Sequence, residues 1–243
     1  MAEVSAPLEQ FVIKPLIPIH VGSLNISYTN SALLMTIIVA LIMLLLLGAT
    51  RRGALVPGRL QSVAELSYEF VVGMMRQEIG EAGIAFFPLV FSIFMFVLFA
   101  NFIGLIPYSF SVTGQIVVTA ALALFVFVVV TFVGFLRHGL HFFHFFLPPG
   151  APLYMAPVIV PIEIISYLSR PVSLSIRLFA NMMAGHTMMA VFAGFTITLG
   201  IFGFFPIAIN VAMFGLEVIV CALQAYVFTI LTVLYLRDAI LMH

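Results

Sequence analysis

Glu163, Arg170 and Arg177 recur at intervals of seven in a stretch otherwise made of apolar and small residues. Seven steps of about 100° return to nearly the same side of a helix, so one carboxyl and two guanidinium groups share a face. Ser173 and Asn181 stand one turn to either side of Arg177 and join that face. His186 is nine positions past Arg177 and falls toward the opposite side. Further along, Glu217 and Gln224 are again seven apart and point one way. A guanidinium stays protonated at any accessible pH, so it can hold an anion or repel a proton but cannot relay one. Glu and His can relay. The set therefore offers a fixed cation flanked by groups that can take up and release protons.

Each of these residues also has a plainer reading. Arg177 could be one half of a buried ion pair, but no carboxylate of the chain is expected level with it. Arg170 precedes Pro171 and could snorkel to lipid phosphate or brace the local structure. Glu163 could be an interfacial carboxylate, and His186 a hydrogen-bonded core histidine. Cys221 is the only cysteine and sits in an apolar run, where it reads as a small core residue without an internal disulfide. His138, His141 and His144 have metal-like spacing. They lie beside a charged loop and Phe-rich flanks and read as an interfacial cluster, so no metal or other cofactor is expected. Met182, Met183, Met188 and Met189 read as packing.

The elements that must position these groups follow from composition. Hydrophobic residues make up 64% of the 243 and charged ones 7%. Soluble domains run near a quarter charged, so the chain reads as an integral membrane protein. The apolar runs are too long for barrel strands, which leaves helices. Net charge is zero and no basic block exists, which argues against nucleic-acid binding.

Residues 1–29 read as an extra-membrane arm, with no cleavable signal peptide, and 30–243 as a single transmembrane domain. Within it, 30–50 is a first span, 57–81 an amphipathic surface helix, 84–104 a second span and 115–136 a third. The last two apolar segments, 157–198 and 204–238, are separated only by Gly200-Ile201-Phe202-Gly203 and form a long hairpin. The expected fold is all-α: five crossings plus one surface helix. Basic residues place the N-terminus outside and the C-terminus inside.

Folding that hairpin near residue 200 sets Arg177 level with Gln224, His186 level with Glu217, and Glu163 level with Arg237-Asp238. About 40 residues make a helix of about 60 Å, against a hydrocarbon core of about 30 Å. The pair must lie steeply tilted, or break at Pro161 or Pro171.

The run from Ser173 through Arg177-Leu178-Phe179-Ala180-Asn181 to Ala184-Gly185-His186 resembles subunit a of the F-type ATP synthases. So do Asn101-Phe102-Ile103-Gly104-Leu105-Ile106-Pro107-Tyr108 and Gln224-Ala225-Tyr226-Val227-Phe228. The placement of His186 on the first long helix and Glu217 on the second is similar to alphaproteobacterial and mitochondrial members.

The resemblance implies a stator in the Fo sector, lying against a ring of c subunits that each carry a mid-membrane carboxyl. It matches Arg177 to the arginine facing those carboxyls, and Asn181 and Gln224 to its polar neighbours. His186 and Glu217 match the outer access channel, and Glu163 the inner one. It further implies peripheral-stalk b subunits and the rest of the FoF1 complex as partners. The expected location is a bacterial inner membrane, with the mitochondrial inner membrane as the alternative. The chain alone would carry out no covalent chemistry.

Two other functions compete. A secondary transporter would also hold intramembrane Arg, Glu and His, but usually with an internal repeat, and none is found. A membrane hydrolase built on the histidines would need a carboxylate at ligand spacing, and His-Glu-x-x-His is absent.

Overall fold

The computed structural model describes residues 12–18, 20–21, 24–25, 27–51, 57–106, 109–139 and 155–241. Six long helices dominate the described residues: α1 (Asn30–Thr50), α2 (Arg59–Glu78), α3 (Phe87–Gly104), α4 (Ile116–His138), α5 (Ala156–Thr198) and α6 (Phe204–Leu241). All but α2 are long and apolar enough to cross a membrane, the second crossing candidate starting at Glu81 in a short 3-10 turn before α3. The chain is an all-α, multi-pass membrane protein.

Before α1 the arm is not simply irregular. β1 (Pro15–Ile17) pairs antiparallel with β4 (Tyr28–Thr29), and β2 (His20–Val21) with β3 (Leu24–Asn25). The Thr29 hydroxyl accepts from Ala32 N at 3.3 Å and caps α1. Asn30 ties the arm down, donating through Nδ2 to Val12 O at 3.1 Å and accepting from Lys14 N at 3.1 Å.

α1 is apolar on every side, and Leu44 and Leu47 are exposed, as expected where the solvent is hydrocarbon. α2 is different. Its charged residues separate from an apolar face that buries Val71, Met74 and Met75 against the bundle. α3, α4, α5 and α6 share one core, in which Val97, Val126, Leu174, Leu178, Phe228 and Leu236 are among the most enclosed side chains.

α5 runs unbroken for 43 residues through Pro161 and Pro171. Neither proline interrupts it, so a break is not how this helix accommodates its length. The return to α6 is a 3-10 turn over Gly200–Gly203. Gly200 has φ +55°, and a Cβ at Gly203 would stand 2.6 Å from the Thr196 carbonyl oxygen. Both positions require glycine, and together they fix where the chain reverses.

Candidate functional site

α5 and α6 run side by side from that turn, and their polar residues meet at several levels. Nearest the turn, the Glu217 carboxyl occupies the space that a Cβ at Gly185 would need. His186 is the next residue, and both it and Glu217 are buried. One level further from the turn, Cys221 Sγ lies 3.7 Å from Met182 Sδ. Asn181 then donates through Nδ2 to Gln224 Oε1 at 2.8 Å. Two turns beyond Arg177, Arg170 Nη1 reaches Asp238 Oδ2 at 3.0 Å.

This register differs from the expected one. Gln224 is bonded to Asn181 rather than standing level with Arg177, and Asp238 meets Arg170 rather than Glu163. The turn does not set this offset: Gly185 meets Glu217 close to the expected register, and the α6 partner falls progressively further along at Asn181–Gln224 and at Arg170–Asp238 as the two helices run away from the turn. Glu163 is half-buried, two turns before Arg170 and at the level where α6 ends. The Gly185–Glu217 contact nonetheless puts His186 and Glu217 at one level.

Arg177 is exposed, and so is Ser173 one turn away. Among the described residues no Asp or Glu lies within salt-bridge distance of Arg177. Arg170 is its opposite. Its guanidinium is half-buried, ion-paired to Asp238, and lies 5.3 Å from the Tyr167 ring centroid and 5.1 Å from that of Tyr235. Two arginines on the same helical face thus have different fates: one is consumed inside the chain and the other is presented outward.

α3 contributes from the side. Asn101 is fully enclosed, and its Nδ2 donates to the Cys221 carbonyl oxygen at 3.2 Å. A Cβ at Gly104 would stand 3.0 Å from the Met182 Cε and 3.1 Å from Ser111 Oγ, so α3 approaches α5 closely there. Glu217 Oε1 and Gln224 Nε2 are buried without a hydrogen-bond partner among the described residues. Such unspent capacity in an apolar interior is costly, about 1–3 kcal/mol for each group. A carboxyl oxygen of this kind can take a proton or a water.

The three motif stretches, far apart in sequence, therefore converge on one place. Comparison with known proteins agrees. The family model described as ATP synthase A chain matches residues 32–237. Curated proteins named ATP synthase subunit a align along nearly their full length. The one from Rhodospirillum rubrum is 54% identical over 239 residues, 98% of this chain and 99% of that one. The one from Parvibaculum lavamentivorans is 52% identical over 241 residues, covering 96% and 93%. The one from Rhizobium etli (strain CIAT 652) is likewise 52% identical over 241 residues, covering 96% of each.

The chain belongs to the ATP synthase A chain family.

Several contributors to the site escape a reading by motif alone. Asn101 lies in a recognised stretch, but its hold on the Cys221 carbonyl is a tertiary fact. Gly185 reads as a small residue until the Glu217 carboxyl is found against it. The Arg170 pocket did leave a signal: Tyr167 precedes Arg170 by three, and Tyr235 precedes Asp238 by three, so each pair shares a helix face. Of the three histidines in the loop region, His138 ends α4, while His141 and His144 lie outside the described residues. Among the described residues no group of three or more His, Cys, Asp or Glu is arranged to hold a metal ion. Pro107 and Tyr108, the end of the Asn101 stretch, also lie outside them.

Proposed function

We propose that this chain is the proton-conducting stator of the Fo sector, lying against a ring of c subunits. The observation that carries the reading is the outward cation at Arg177, without an ion-pair partner among the described residues, on a helix whose other arginine is neutralised within the chain. A permanent charge at membrane depth costs several kcal/mol unless something meets it. A passing carboxylate of a partner helix supplies that charge, and Arg177 stabilises it by opposite charge without forming a covalent bond.

The remaining groups take their roles from this. Protons reach the ring from outside through His186 and Glu217, which occupy one level of the hairpin near its turn. A protonated ring carboxyl is neutral and can turn into lipid, whereas an ionised one cannot, and this difference gives rotation its direction. On the opposite side of Arg177 the carboxyl loses its proton toward Glu163 and the inner surface. Arg177 keeps the two half-channels apart because a fixed cation cannot relay protons. Asn181 and Gln224 flank it and bind one another.

The driving force is about 2.3 kcal/mol per elementary charge per 100 mV, plus the pH term. The unbroken α5 exceeds the hydrocarbon core, so α5 and α6 lie oblique in the membrane and offer a broad side to the ring. The N-terminal arm faces outside and the C-terminus inside. The c-ring, the peripheral-stalk b subunits and the rest of the FoF1 complex are the partners, in a bacterial inner membrane. The chain itself needs no cofactor.

Cysteine substitutions along the exposed side of α5, at Ile176, Ala180 and Ala184, test this geometry by cross-linking in native membranes. Adducts with a c subunit at those positions, but not at buried Leu174 or Leu178, are expected. Adducts at neither set, in complexes that retain their c-ring, would overturn the reading.

A further inference from the structure

The reaction needs Arg177 to keep its place while a ring moves past and pulls on it. A side chain on a helix holds its place only as well as the helix does. α5 is long, carries two internal prolines and has much of its surface exposed. On the side of Arg177 toward the turn, α5 is held by Asn181 and by the close packing of Gly185. On the side away from the turn the hold is of another kind.

Arg170 meets three side chains there, Tyr167 of α5 itself and Tyr235 and Asp238 of α6. Its Nη1 donates to Asp238 Oδ2 at 3.0 Å, and its guanidinium lies between the Tyr167 and Tyr235 rings. The Tyr167 hydroxyl is 2.7 Å from the hydroxyl of Thr131 on α4. The α6 side is itself secured, because Arg237 Nη1 donates to Glu78 Oε2 on α2 at 3.2 Å. A run of contacts thus connects α4, α5, α6 and α2 at one level.

We propose that Arg170 is a positioning residue, the peg of a clamp with Asp238, Tyr167 and Tyr235 that fixes the register of α5 on α6 and so holds Arg177 at the depth where ring carboxylates pass. This rests on the stator reading of Arg177. A planar guanidinium suits the task because it can stack on aromatic faces and bond a carboxylate in its own plane at once. An ammonium forms the ion pair but stacks less well. The clamp does not touch the transported proton, and its contribution is to keep α5 from sliding under load.

The test uses the whole FoF1 complex in inverted membrane vesicles, with ATP-driven proton pumping divided by the amount of assembled complex on native gels. Arg170→Gln and Asp238→Asn each lower pumping per assembled complex by about tenfold, which corresponds to about 1.4 kcal/mol. Arg170→Lys lowers it less, and the exchanged pair Arg170→Asp with Asp238→Arg recovers several-fold over the worse single variant. A residue that only aids folding would change the quantity of complex and leave its turnover alone.

Should Arg170→Gln fail to assemble, Asp238→Asn and Tyr235→Leu carry the same expectation. Wild-type turnover in the assembled single variants, or an assembled exchanged pair no better than the worse single, overturns the clamp. An Arg177→Ala arm in the same vesicles separates the two ideas. Normal pumping there sinks the stator reading, whereas lost pumping there with unaffected clamp variants sinks only the clamp.

Discussion

Asn181 and Gln224, 43 residues apart in sequence, are joined by a hydrogen bond of 2.8 Å one helical turn from Arg177. The bond binds the two long helices to each other beside the outward-facing Arg177. A pair of neutral amides here adds polarity beside the guanidinium without adding a formal charge.

Loss of either amide should weaken transport without ending it. One hydrogen bond contributes about 0.5–1.5 kcal/mol, a factor of roughly 2–10 in rate if it acts in full on the slow step. Asn181→Ala and Gln224→Ala should each reduce ATP-driven proton pumping within that range, and the double variant should cost less than the two combined. Quenching of a pH-sensitive dye in inverted vesicles measures this. Strict additivity would mean that the bond does not couple the two residues.

Gly185→Ala should be more damaging than its size suggests. The new methyl would fall where the Glu217 carboxyl sits. Overpacking of a close-fitted interior costs about 1–3 kcal/mol. Reduced thermal stability of the purified complex and slowed proton flux are expected. Shortening the opposing side chain with Glu217→Asp should restore part of the stability, and a Gly185→Ala protein with unaltered melting would show that the contact is loose.

Glu217→Gln keeps the volume and removes the titratable group. Proton admission from the outer side should slow, and the defect should be greatest at low driving force. Passive proton flux through membranes stripped of the soluble sector, measured against imposed voltage, checks this. Flux equal to wild type across the voltage range would remove Glu217 from the pathway.

Asn101→Leu strips the Cys221 carbonyl of its side-chain donor inside a fully enclosed site. The carbonyl keeps its helical partner within α6, so the loss is that of one hydrogen bond, about 0.5–1.5 kcal/mol. Earlier dissociation of the complex on heating in detergent is expected, with the effect on assembly exceeding that on turnover. An unchanged dissociation temperature would show that α3 does not depend on this bond to hold α6.

Much of this architecture is written in one-dimensional pattern. The five apolar stretches, the charged rhythm of α2 and the glycines at the reversal are local signals, because apolar runs too long for barrel strands can cross lipid only as helices and a hairpin turn needs particular backbone angles. The seven-residue spacing of Glu163, Arg170 and Arg177 also follows from helix geometry alone. Partner choice across the hairpin is not local. It depends on how the two helices run against each other away from the turn and on how far each side chain reaches, and these bring Asp238 to Arg170 instead of Glu163. The different fates of Arg170 and Arg177 likewise depend on what packs beside each, which periodicity does not encode. The short strand pairs before α1 leave no legible signal in the sequence, since they span two or three residues and carry no alternation long enough to read.

The central claim is that the Arg177 guanidinium faces a partner's carboxylates and separates two proton half-channels. Proton-driven ATP synthesis by the Arg177→Ala complex in sealed vesicles, under an imposed pH gradient and membrane potential, tests it most directly. Synthesis should be abolished while the complex still assembles with its c-ring. Synthesis at the wild-type rate by the assembled variant would contradict the account.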